Sequence, residues 1–238
     1  MPQTLDHLMH DKPLNLPGVR PDNHDLKPLP QLILDRRATQ SFLPDPVPPE
    51  YLEAILHLAA QAPSGYNLQP WRFIVVQNAA NKQRLQKAAR NQGKISEAPV
   101  VIITIGLKQE SRDSIRDVLE EGARRGAGNP AEIDQRAKGA VELLDRITMP
   151  VWVSRHVMVA FTTMMLAAKA YGFDTAPMEG FDPDAVRREF DIPADAEVIA
   201  LLALGKRRGP DKVYPGRYGL DHLVSRERYG QPWHPAED

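Results

Sequence analysis

Over 238 residues the chain carries 30 basic and 31 acidic side chains, a net charge of −1, with 42% hydrophobic residues and no cysteine. That composition suits a soluble globular protein with a real core, and its even charge gives nucleic acid no electrostatic footprint. Without cysteine there are no disulfides, no thiolate metal sites and no cysteine nucleophile. The longest strongly apolar stretch, Val157 to Ala170, is broken by Thr162, Thr163 and Lys169 and falls short of the ~20 apolar residues of a membrane span. The N-terminus lacks the apolar segment of a signal peptide, so a cytoplasmic protein without a membrane partner is expected.

Residues 1–29 are rich in proline and histidine without hydrophobic periodicity, and read as an extended arm. Of the three histidines there, His7 and His10 stand close in sequence but make no metal site by themselves. Regular structure is expected from about Pro30, with a short helix on Leu32, Ile33 and Leu34 ending by Arg37. Pro44, Pro46, Pro48 and Pro49 force an extended loop. Pro49 then opens a helix with the apolar stripe Leu52, Ile55, Leu56, Ala59. A turn of Pro, Ser, Gly and Asn, Pro63 to Trp71, leads into a strand over Arg72 to Gln77, followed by a helix over Asn81 to Arg90. Pro99 to Ile105 is an unbroken β-branched run, the pattern of a strand buried on both faces. Residues 107–148 are charged and helical in pattern, with a glycine-rich break from Gly122 to Pro130. That break follows no strand and has the wrong glycine order for a phosphate loop. Val153 to Tyr171 is apolar nearly all round, a helix buried at the domain centre or against a second subunit, and Gly172 stops it. The segment Thr175 to Gly180, with a turn at Pro177 to Gly180, a helix, Pro183 to Phe190, and a strand, Glu197 to Leu204, complete one α+β domain over residues 30–225. Residues 226–238 form a C-terminal tail.

No side chain is set up as a nucleophile. Ser64 lacks a Gly-x-Ser-x-Gly elbow, there is no HExxH, and His57 and His156 are isolated in helices, where packing is the ordinary role of a histidine. The chain offers separated anion and amide sites instead. Arg36 and Arg37 stand side by side at a helix end, and paired guanidiniums suit a phosphate through their rigid fork of donors. A second basic cluster, Lys206-Arg207-Arg208, follows Gly205, with Arg217 beyond it. Gly180 permits close backbone approach to a ligand. The turn at Pro63 to Trp71 presents backbone N–H groups and short polar side chains beside a tryptophan.

The order of these segments resembles the nitroreductase family of FMN-dependent flavoenzymes. Arg36-Arg37-Ala38-Thr39-Gln40-Ser41-Phe42, a Pro-Val-Pro loop, a helix, and Ala62-Pro63-Ser64-Gly65-Tyr66-Asn67-Leu68-Gln69-Pro70-Trp71 carry the likeness, with Glu97-Ala98-Pro99 and Ala176 to Phe181 further on. The resemblance implies a nitroreductase-like fold, a central mostly antiparallel sheet flanked by helices, in an intertwined homodimer with FMN at each of two interfaces. It further implies that Arg36, Arg37, Ala38, Thr39 and Gln40 lie along the phosphate and ribityl chain. Pro63, Ser64, Gly65 and Asn67 would reach the flavin from the other subunit. Asn91 and Lys94 would line the pyrimidine edge, and Glu179 and Gly180 the N5–O4 edge. Arg217, or else Lys206, would complete the phosphate site. NADH or NADPH would then reduce the flavin at N5 in a ping-pong cycle, and a small-molecule oxidant such as a nitroaromatic or quinone would reoxidise it.

Two positions depart from the family pattern. Ala38 stands where serine is common, removing one hydroxyl hydrogen bond worth about 1 kcal/mol, and Gln40 stands where a basic residue is common, leaving less positive charge near the flavin. The same scaffold also admits dehalogenation, ene reduction, flavin reduction or flavin destruction, and a non-catalytic flavin-binding dimer.

Overall fold

The computed structural model describes residues 17, 27–210 and 213–233; nearly all of the expected N-terminal arm, and the end of the C-terminal tail, lie outside them. Two short helices flank the first proline loop: α1 (Leu29–Asp35) and α2 (Pro49–Ala60), the latter opened by Pro49 as its spacing predicts. Strand β1 (Trp71–Val76) leads to α3 (Ala79–Ala88), whose first N–H groups are capped by the Asn78 side chain, and to α4 (Gly93–Glu97). Strand β2 (Val100–Leu107) is followed by α5 (Gln109–Asp113), α6 (Ile115–Arg124), α7 (Ile133–Arg146) and the 22-residue α8 (Met149–Ala170). Strand β3 (Asp174–Met178), α9 (Pro183–Glu189), strand β4 (Ala196–Gly205) and a single turn, α10 (Leu220–Leu223), complete the order.

The four strands form one antiparallel sheet in the order β1-β2-β4-β3. Alternation along β2 explains its unbroken apolar run. Val101, Ile103 and Ile105 face a layer built from α3, α4 and α9, while Val100 and Ile102 face α2 and α8. A strand apolar on both faces belongs in the middle of such a sandwich. Helix α8 crosses the sheet so closely that a Cβ on Gly106 would lie 2.1 Å from Val153 Cγ1. By length and composition alone α8 could cross a membrane. Its inner side, including Trp152, Val157, Phe161 and Met164, is instead built into the core. Its outer stripe, Val151, Arg155, Val159 and Thr162, is exposed. A third apolar cluster joins α6 and α7 to Leu68, Trp71 and Trp152, under the Pro63–Trp71 turn.

One expectation is corrected. Pro177 to Gly180 reads in sequence as a turn, yet Asp174–Met178 is the edge strand β3 and only Glu179 and Gly180 lie beyond it. Pro177 is tolerated because an edge strand has one side without ladder bonds.

Candidate functional site

The Arg36–Thr39 segment runs along the outer edge of β3. Ala38 bridges Thr175 in parallel fashion, and the Thr39 N–H donates to the Thr175 carbonyl at 3.0 Å. Thr39 is buried, Ala38 and Gln40 are exposed, and the Gln40 amide folds back to donate to the Ala38 carbonyl at 2.8 Å. Next, Leu43 N–H donates to the Lys206 carbonyl at 2.8 Å, so the residue after β4 is tied to the same edge. Arg208 is structural: its Nε and Nη2 both donate to the Phe42 carbonyl, at 3.1 and 3.0 Å.

Arg36 is the C-terminal cap of α1, and Arg37 follows it. Both come close to the distant segment 213–217. The guanidinium carbon of Arg37 lies 4.6 Å from the centre of the Tyr214 ring, and that of Arg217 lies 5.4 Å from it. Burial, reinforced by the Arg217 and Arg37 charges, pulls the Arg36 guanidinium below its ordinary pKa. Among the described residues no carboxylate pairs with Arg36, Arg37 or Arg217. Three like charges held together without a counter-ion make a site that an anion would complete.

A second group lies at the other end of β3. The backbone of Asn91 is left-handed, with φ 56°, and turns the chain from α3 into α4, whose first turn holds Lys94. Between them Gln92 donates through Nε2 to the Gly180 carbonyl at 3.0 Å, joining Asn91 and Lys94 to Glu179 and Gly180. Asp182 secures this junction, its N–H donating to the Ala88 carbonyl at 2.8 Å while its carboxylate caps α9. Helix α4 also reaches the arginine segment, because Glu97 accepts from Ser41 Oγ at 2.6 Å and from Phe42 N–H at 3.1 Å. The Ser41 bond first, then the Phe42 N–H and the nearby Arg208 charge, hold the Glu97 carboxyl below its ordinary pKa against the opposing effect of burial. Gln92 and Tyr214 carry no sequence pattern that marks them, and although Glu97 belongs to the Glu97-Ala98-Pro99 piece of the resemblance, only the fold shows its bond to Ser41.

The third group stands apart. Pro63, Ser64, Gly65 and Asn67 form a tight turn in which Tyr66, Asn67 and Gln69 all take positive φ, of 54°, 57° and 44°. Such backbone costs about 1–3 kcal/mol per residue and persists only where surroundings enforce it. Ser64 Oγ enforces it by accepting the Gln69 N–H at 2.9 Å. So does Gly65, whose missing Cβ would sit 3.2 Å from Trp152 Cζ2 and 3.3 Å from His156 Nε2. His156 is therefore more than generic helix packing: its Nδ1 is 2.9 Å from the Trp152 carbonyl and its ring rests on Trp152 at 4.3 Å. Asn67 is exposed, and no hydrogen bond of its side chain is made among the described residues.

Two rulers separate this turn from the arginines. It sits on Trp152 and His156, whereas Asp35, next to Arg36, feels the charge of Lys169 near the far end of α8. Thirteen residues at 1.5 Å each make that roughly 20 Å. The sheet agrees: Trp71 pairs with Gly106 on one edge, and Thr175 pairs with Leu204 at the opposite edge and the opposite end. The structure thus unites the arginine, Lys206, Asn91–Lys94 and Glu179–Gly180 segments along one side and leaves Pro63–Asn67 at the other. A surface cavity of about 410 Å³ along α2, lined by Leu52, Glu53, Leu56 and His57 among others, contains none of these residues.

The sequence pattern described as the Nitroreductase family matches residues 33–206. A Thermus thermophilus protein named NADH dehydrogenase is 35% identical over 197 residues, covering 82% of this chain and 91% of that protein. The ydfN protein of Bacillus subtilis superposes with a TM-score of 0.75 at 29% identity, over 83% of this chain and 97% of its own. An Exiguobacterium sibiricum protein solved in complex with FMN shares the fold at a TM-score of 0.76 and 22% identity, over 84% and 98%. The antiparallel sheet, the Arg36–Arg37 edge segment and the Pro63–Trp71 turn therefore belong to a chain that is a member of the Nitroreductase family of oxidoreductases.

Proposed function

We propose that the protein works as a homodimer that holds FMN at two equivalent subunit interfaces and transfers electrons from NADH or NADPH to a small electron-poor acceptor, such as a nitroaromatic or a quinone. The observation that carries this reading is the split site: an uncompensated arginine cluster and a preorganised amide turn, roughly 20 Å apart along α8. A two-fold axis that sets two α8 helices antiparallel places one chain's turn opposite the other chain's arginines. The exposed stripe Val151, Val159 and Thr162 gives such a contact an apolar surface, and Leu29, Ile33 and Leu34 of α1 extend it. The segment 213–233 adds to it, with Val213 91% and Tyr218 72% exposed on its own chain.

Bound FMN supplies the two-electron chemistry. Arg36, Arg37 and Arg217, with Lys206 beside them, hold its phosphate by charge-assisted hydrogen bonds. Ala38, Thr39 and Gln40 form the wall along the ribityl chain, and the Thr39 N–H stays in the sheet. Asn91 and Lys94 face the pyrimidine edge, where the lysine charge offsets negative charge. Glu179 and Gly180 close the opposite edge. Pro63, Ser64, Gly65 and Asn67 come from the facing chain, with Ser64 as a contact and not a nucleophile. The Thermus relative's name supports a nicotinamide reductant, and the FMN complex of the Exiguobacterium protein supports the flavin. Mixed dimers test the reading. Arg37→Ala and Asn67→Ala homodimers should each lose flavin, while a heterodimer carrying one of each should regain about half the wild-type occupancy. No recovery in the heterodimer would refute the two-chain site.

A further inference from the structure

Arg37 and Arg217 converge from segments about 180 residues apart in sequence, and like charges do not gather without a reason. The usual solution is a shared carboxylate, and none is present among the described residues. Both instead lie over the ring of Tyr214, its centre 4.6 Å from the Arg37 guanidinium carbon and 5.4 Å from that of Arg217. Both distances fall inside the ~6 Å range in which the negative face of an aromatic ring attracts a cation.

The difference between a ring and a carboxylate matters for an anion site. A carboxylate holds arginine by accepting its N–H groups and brings a negative charge, so it competes with the ligand. A ring attracts the charge and accepts none of those donors. Each guanidinium has five N–H donors. The bonds made by Arg37 use Nη1 alone, to the Leu34 and Arg36 carbonyls, and Arg217 uses Nη1 to the Gly216 carbonyl. The remaining donors are left for a ligand. We infer that Tyr214 is a positioning residue of the anion site, whose ring gathers Arg37 and Arg217 while leaving their outer N–H groups free to bind a phosphate monoester. This rests on the phosphate reading given above. Tyr214 itself need not touch the phosphate, because its role is exerted through the two arginines.

Flavin binding to the full-length apoprotein tests this without any turnover. FMN and riboflavin differ only in the phosphate, so the ratio of their affinities, read by quenching of flavin fluorescence, isolates the anion site. Tyr214→Ala should weaken FMN about tenfold and leave riboflavin unchanged, and Tyr214→Phe, which keeps the ring, should behave as wild type. An unaltered ratio in Tyr214→Ala, alongside a lowered ratio in Arg37→Ala, would overturn the role of Tyr214 and leave the phosphate reading standing. A Phe variant as defective as the Ala variant would overturn it too, by assigning the effect to the phenol. An unaltered ratio in Arg37→Ala as well would remove the phosphate reading itself, and the inference with it.

Discussion

Gly65→Ala probes whether the Pro63–Asn67 turn is held in place by α8. Gly65 does not take a positive φ, so alanine fits its backbone and the whole effect is steric. The new methyl would lie 3.2 Å from Trp152 Cζ2 and 3.3 Å from His156 Nε2, against an ordinary carbon contact of about 3.5–4.0 Å. An opening of about 0.5 Å is needed. Trp152 is almost fully buried and His156 is tied to the Trp152 carbonyl, so the turn itself must move. The low end of the overpacking range, about 1–1.5 kcal/mol, lowers Tm by about 3–5 °C in a domain of this size. The same shift reaches the tolerance of a binding group, about 0.5 Å, and with the turn in its proposed role should weaken FMN roughly five- to tenfold through one lost contact. Thermal unfolding and flavin titration measure both effects. Combining Gly65→Ala with His156→Ala should relieve part of the clash and give a coupling above about 0.5 kcal/mol. A Tm within about 1 °C of wild type with unchanged FMN affinity, or strict additivity in the double variant, would refute the account.

Two further substitutions test the frame around the site. Gly106→Ala drives a methyl into Val153, a buried β-branched residue with little rotamer freedom in a helix; about 3 kcal/mol of destabilisation is expected, and Val153→Ala should restore part of it. A Gly106→Ala protein as stable as wild type in denaturant unfolding would contradict the close crossing of α8. Ser41→Ala removes the leading cause of the lowered Glu97 pKa. A depressed carboxyl favours the folded state above its unfolded value, about pH 4.3, and that contribution disappears as pH falls through the folded value. In the variant the Glu97 titration should therefore move up, and acid unfolding should begin at higher pH. Identical carboxyl titrations in the two proteins, followed by NMR, would rule the hydrogen bond out as the cause.

What the sequence reveals depends on how local the cause is. Strand β2 announces itself because burial on both faces demands an unbroken β-branched run, and α2 because Pro49 and a 3.6-residue stripe act together. Strand β3 is hidden: it is five residues long, contains Pro177, and owes its state to pairing with β4. The glycine-rich break is similarly misplaced, since Gly122 and Ala123 continue α6 and the chain leaves the helix only at Arg125. At the site, Arg36 and Arg37 stand out as a charged pair, and Ser64 and Asn67 as turn residues. Gln92 acts through Gly180, 88 positions away, and Glu97 through Ser41, 56 positions away, while Tyr214 meets Arg37 from the opposite end of the chain. No periodicity foreshadows contacts at that range.

The apolar residues of the 213–233 segment have a consequence for how the protein is made. A chain folding alone gains almost nothing from Val213 and Tyr229, which stay in water, and only part of the burial that Leu220 and Leu223 offer. The segment follows the core in sequence, so translation delivers it after the sheet is complete. In the proposed dimer, docking it on a second copy would be a bimolecular event, separable in time from the unimolecular folding of the core. Refolding of the proposed dimer should accordingly show a late phase whose rate rises with protein concentration, and flavin retention should return only with that phase.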